Sequence, residues 1–107
     1  MKDLSARWDD LILDLEAKFD DEMSLKGILY LIGVQELNMG VKRFSREEKI
    51  DVLHVAVCKI LTPFGFYKFD KVDEDGWPHW IELKPLKSLD KKEQEMLMKK
   101  GVLNYLN

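Results

Sequence analysis

Phe66-Tyr67-Lys68-Phe69-Asp70-Lys71-Val72-Asp73-Glu74-Asp75-Gly76-Trp77-Pro78-His79-Trp80-Ile81-Glu82-Leu83-Lys84 decides the fold class. Tyr67 and Phe69 alternate with Phe66, Lys68 and Asp70, and Ile81 and Leu83 alternate with Trp80, Glu82 and Lys84. This period of two predicts a β-hairpin. A two-residue Asp75-Gly76 turn would set Phe69 opposite Glu82 and mix core and solvent faces. A three-residue Glu74-Asp75-Gly76 loop with a left-handed glycine instead pairs Phe69 with Ile81, Tyr67 with Leu83 and Lys68 with Glu82. In that register the core face carries Tyr67, Phe69, Ile81 and Leu83. It reaches the tip through Lys71 and His79 to Asp73 and Trp77, with Trp80 on the opposite face, so both tryptophans share one pocket only if a bulge intervenes.

Outward from the hairpin the period becomes helical. Leu4, Trp8, Leu11, Ile12, Leu15 and Phe19 recur at three and four residues, an amphipathic first helix that Asp20-Asp21 ends. Ser24 caps a second helix running to about Asn38, with Gly40 as its stop signal. The apolar residues of this helix point in nearly every direction, so it belongs at the centre of the core. Ser45-Arg46-Glu47-Glu48 fits a capping box for a third helix through Leu53, Ala56, Val57, Ile60 and Leu61, which Pro63 ends by Thr62. Asp90 with Glu93 opens a fourth helix to Lys99 or Lys100, where Gly101 is the expected terminator and Val102 to Leu106 a docking tail. The predicted class is α+β: a three-helix layer followed by a two-stranded antiparallel hairpin and a C-terminal helix. Over residues 4–84 this order loosely resembles a winged-helix arrangement; the resemblance is topological and carries no function with it.

The chain of 107 residues suits one globular domain over 1–107. With 46% hydrophobic and 35% charged residues, it has the composition of a folded soluble chain. The longest apolar stretch, Ile28 to Val34, is too short to span a bilayer, and the N-terminus lacks the pattern of a secretory leader. Cys58 is the sole cysteine and has no internal disulfide partner, so a reducing, cytoplasmic location is expected. The net charge of −3 gives no long-range attraction to nucleic acid or anionic lipid.

Three constellations could carry chemistry. Asp73, Asp75, Trp77, His79 and Trp80 at the hairpin tip offer stacking surfaces, a titratable ring and carboxylates for a cationic partner, or else close the core beneath a solvated acidic turn. The tip lacks the distal glutamate and other ligands of a calcium loop. On the third helix Glu47, Asp51, His54 and Cys58 form one stripe of metal-capable side chains bordering an apolar arc of Ile50, Leu53, Val57 and Leu61. A boundary histidine bonded to a carboxylate explains the stripe equally well. Glu36 lies among the apolar residues of the second helix; it either sits at the helix's exposed end, pairs with Lys42, Arg43 or Arg46, or faces His54 in an acid and base pair.

No phosphate loop, nucleophile elbow, Cys-x-x-Cys or His-Glu-x-x-His motif occurs, and no cofactor is expected. The first expectation for function is a protein-interaction or self-associating module. The alternative is a small ligand-binding or metal-dependent enzyme using Glu36, Asp51, His54 and His79. A winged-helix regulator ranks third, because the third helix offers only Arg46, Lys49 and Lys59 to a phosphate backbone.

Overall fold

The computed structural model describes residues 3–19, 23–40 and 42–107. Its elements are α1 (Leu4–Phe19), α2 (Leu25–Leu37), α3 (Arg46–Leu61), a 3-10 turn (Thr62–Phe64), β1 (Tyr67–Val72), β2 (Pro78–Glu82), a second 3-10 turn (Leu86–Ser88) and α4 (Lys91–Leu106). The α+β class and the element order agree with the sequence reading; the expected break at Asp20-Asp21 lies outside the described residues.

Short polar side chains start the helices. Ser24 Oγ accepts the Gly27 N–H at 3.1 Å. Ser45 and Glu48 complete the capping box, with the Glu48 N–H donating to Ser45 Oγ at 3.1 Å and the Ser45 N–H to Glu48 Oε1 at 2.9 Å. Asp90 and Glu93 repeat it on α4. Helix α2 closes on Asn38, left-handed at φ 51°, whose N–H reaches the Val34 carbonyl.

Helix α2 packs mainly on α3 and buries Ile28, Leu29, Ile32, Gly33 and Leu37, but Leu31 is 41% exposed, so the expected all-round burial is not found; α3, which meets α2, α4 and the hairpin, holds the centre. At Gly33 α2 crosses α3 so closely that an added Cβ would sit 2.2 Å from the Val52 carbonyl oxygen. Helix α3 is held between α2 and α4, and it buries Val52, Val55, Ala56, Cys58, Ile60 and Leu61. The expected arc through Ile50 is therefore misplaced: Ile50 is 63% exposed and Val52 fully buried. Two neighbouring helices, rather than the strongest apolar line of α3 itself, select its inner side.

Gly101 does not terminate α4, which continues to Leu106. The glycine is buried against Ile60, whose side-chain atoms would lie 3.0–3.1 Å from a Cβ. It serves helix approach rather than a left-handed cap. Val102, next in the helix, is fully buried.

Helix α1 packs chiefly on α4, not on α2 and α3. Its Trp8 is buried under Lys99, whose Nζ lies 5.5 Å from the ring centroid. The first three helices thus do not close a layer by themselves, and the winged-helix likeness goes no further than element order.

In the hairpin, Gly76 is left-handed at φ 87° and closes the Glu74-Asp75-Gly76 loop between Asp73 and Trp77. Lys71 pairs with His79 as expected, but Phe69 then pairs with Trp80, Lys68 with Ile81 and Tyr67 with Glu82. The register shifts between Phe69 and Lys71, which leaves Asp70 as a bulge residue. One extra residue moves the rest of the expected pairing by one position. Of the expected core face Tyr67 is buried, while Phe69, Ile81 and Leu83 are 49%, 48% and 54% exposed, and Trp80 faces Phe69, with ring centroids 5.7 Å apart.

Two buried clusters result. The larger contains Trp8, Ile28, Leu61, Tyr67 and Val102; the smaller contains Leu37, Phe44, Val52 and Val55, and Trp80 packs against both. No helix among the described residues is long and apolar enough to cross a membrane.

Candidate functional site

The hairpin tip faces the exposed flank of α3. Between them lies a cleft of about 380 Å³ lined by Glu48, Asp51, His54 and Val55 from α3 and by Asp73, Trp77, Pro78 and His79 from the hairpin. The two histidines, 25 positions apart in the chain, thus border one space.

Asp73 organises the tip. Its Oδ1 accepts the N–H groups of Asp75 and Trp77, both at 2.9 Å, and its Oδ2 is 2.8 Å from His79 Nε2. A carboxylate only accepts, so His79 carries its proton on Nε2. These bonds, the His79 one first and the Trp77 amide next, hold the Asp73 carboxyl below its ordinary value of 3.8. Since the folded value is the lower one, ionised Asp73 stabilises the tip fully above about pH 3.8, and that contribution is lost as pH falls through the depressed folded value. In an acid titration followed by NMR, the Trp77 amide signal is expected to leave its native position with a midpoint below 3.8. Asp73→Ala should displace the signal at every pH, whereas a midpoint at or above the ordinary value would contradict the depressed carboxyl. The Asp73-Glu74-Asp75-Gly76 segment is accordingly a side-chain-stabilised turn, with its principal carboxylate occupied by the chain's own donors.

Trp77 is half-buried, its ring edge-to-face with Phe44 at 6.2 Å, and packs with Trp80 against the smaller cluster. The tryptophans therefore close the core, and Trp77 also forms a wall of the cleft. Asp75 is exposed beyond the cleft lining.

The stripe on α3 divides. His54 is exposed, edge-to-face with Tyr67 at 6.2 Å, and its Nε2 lies 3.4 Å from Cys58 Sγ. Cys58 is fully buried, and burial, with a smaller push from Glu82, raises its thiol to about 12. At about pH 8 iodoacetamide should leave Cys58 intact in folded protein and modify it in denaturant; rapid modification of the native chain would refute this. Glu47 points to solvent outside the cleft lining. Among the described residues no three His, Cys, Asp or Glu side chains gather closely enough to hold a metal ion.

Glu36 is not in the cleft and does not meet His54. It accepts the Tyr105 O–H and lies 3.6 Å from Lys59 Nζ. Lys59 replaces the expected Lys42, Arg43 or Arg46 because α3 and α4 both pack on α2 and carry Lys59 and Tyr105 to it. Burial and the bond to Glu36 raise the Tyr105 hydroxyl to about 12, which keeps it protonated as the donor. Pairing between α2 and α4 is invisible in the local sequence, so Tyr105 was not legible as the partner.

Comparison of the chain with models of known protein families, with curated proteins and with solved structures finds no match.

Proposed function

We propose that the chain is a protein-interaction domain whose cleft between α3 and the hairpin holds a cationic side chain of a partner. The observation that carries this reading is the lining: three carboxylates, two imidazoles and the Trp77 ring, with no Lys or Arg among the described residues that line it. Glu48 is engaged by Ser45 and by Lys42 at 3.7 Å, and Asp73 by the turn. Asp51 has no side-chain partner among the described residues and is the carboxylate left for a guest. Trp77 adds an aromatic face suited to a guanidinium or ammonium group.

An exposed ion pair contributes at most about 1 kcal/mol and a cation over an exposed ring about 0.5–1 kcal/mol. A single guest side chain therefore binds weakly, and the rest of a partner's contact must supply affinity and specificity. Because only two histidines occur, the imidazole proton signals report directly on the cleft. Titration with N-acetyl-arginine amide is expected to move both signals, N-acetyl-glutamate amide neither, and Asp51→Asn to abolish the response. Failure of the arginine probe to move either signal at tens of millimolar would reject the reading.

The catalytic alternative lacks support at the same cleft. Both Nε2 atoms face groups of the chain itself, Glu36 lies elsewhere, and among the described residues no Ser, Thr, Lys or Cys lines the space. For nucleic acid, Lys59 is already paired with Glu36, so α3 offers only Arg46 and Lys49 to phosphates. The buried free thiol of Cys58 supports a reducing compartment such as the cytoplasm.

A further inference from the structure

Away from the cleft, two surfaces complement each other. Between the first turns of α2 and α3 lies a groove of about 620 Å³ with Tyr30, Ile50 and Leu53 on its floor and Lys26, Arg46 and Lys49 around it. Ile50 is 63% exposed, and none of the three cations has an ion-pair partner among the described residues. On α1, Leu13 is 66% exposed. Asp9 and Asp10 lie one helical turn before it and Asp14 directly follows it. Asp9 and Asp14 have no side-chain partner among the described residues. Leu106, 45% exposed, borders the same α1 surface, and Arg7 is the cation beside its carboxylates among the described residues.

We propose that the chain binds a second copy of itself head to tail, with the Leu13 face of α1 from one copy seated in the α2–α3 groove of the next. The apolar knob meets the apolar floor, and Asp9 and Asp14 beside the knob meet the cations around the groove. An apolar centre within a charged surround is the arrangement of an interface, and the pairing of signs sets its orientation. A net charge of −3 disfavours random encounters between copies, whereas this arrangement attracts locally. The two surfaces share no residue, so the contact is heterologous and generates chains or closed rings rather than a two-fold dimer. This interface is separate from the cleft of α3 and the hairpin and does not depend on the function proposed for it.

The test uses sedimentation of the intact chain. Wild-type protein is expected to gain mass with concentration, and to lose that gain between about 0.05 M and about 0.5 M salt, where surface charges are screened. Leu13→Asp removes the knob and Ile50→Asp the floor; each variant alone should associate at least about tenfold more weakly than wild type. Mixed, the two still have one intact knob and one intact groove between them and should form a two-chain complex that grows no further. Both sites are exposed, so folding should survive; the charge reversals Asp14→Lys and Lys49→Glu, inactive singly and restored in the double variant, supply the same test without altering either apolar centre. A wild-type chain that stays monomeric at millimolar concentration and low salt overturns the proposal, as does association that neither pair of variants affects.

Discussion

Gly33→Ala is expected to destabilise the fold by about 3 kcal/mol, even though alanine gains about 1 kcal/mol over glycine in a free helix. The added Cβ would sit 2.2 Å from the Val52 carbonyl oxygen and 2.7 Å from Val52 Cγ1. A backbone oxygen inside α3 cannot rotate aside, so the methyl group forces α2 and α3 apart. That movement opens the core at Val52, which is fully buried. Gly27 supplies the control: its nearest neighbour would be Ser24 Oγ at 3.5 Å, an ordinary contact. Gly27→Ala should leave stability unchanged or raise it by up to about 1 kcal/mol. Urea unfolding of the two variants separates the cases. Equal stability for Gly33→Ala and wild type would mean that the helices do not cross as closely as described.

Trp80→Ala is expected to cost about 3 kcal/mol, the lower end for truncating a large aromatic side chain in a core, because Trp80 is only half-buried. The effect is large because Trp80 packs against both buried clusters and meets Phe69 edge-to-face. Its removal uncouples the hairpin from α2 and α3. Trp77 packs against the smaller cluster alone, so Trp77→Ala should cost less and act mainly on the cleft. If Trp80→Ala unfolded at the wild-type urea midpoint while losing a partner contact, Trp80 would belong to a docking surface instead of the core.

The elements whose determinants are local were legible residue by residue. Ser24, Ser45 with Glu48, and Asp90 with Glu93 each satisfy amides within their own first turn, so the sequence alone marks those helix starts. The left-handed Gly76 and the three-residue loop were legible for the same reason, and with them the pairing of Lys71 with His79. The candidate site was half visible: Asp73, Trp77 and His79 stand in one segment, and Asp51 and His54 in another. Nothing local could show that these segments face one cleft or that Glu36 stands apart from it.

What the sequence by itself determined is therefore the class, the order and start of the elements, and the geometry of the hairpin tip, because hydrogen bonds spanning two to four residues specify them. Only the tertiary structure decided the bulge at Asp70, the exposure of Ile50, Ile81 and Leu83, and the continuation of α4 through Gly101. Each of these depends on an element distant in the chain. Trp80 packs inward against both clusters, α2 and α4 choose the inner side of α3, and Ile60 occupies the space that Gly101 leaves open. Periodicity identifies which residues are apolar, but burial is set by what lies opposite, and side-chain volume there outweighs local preference.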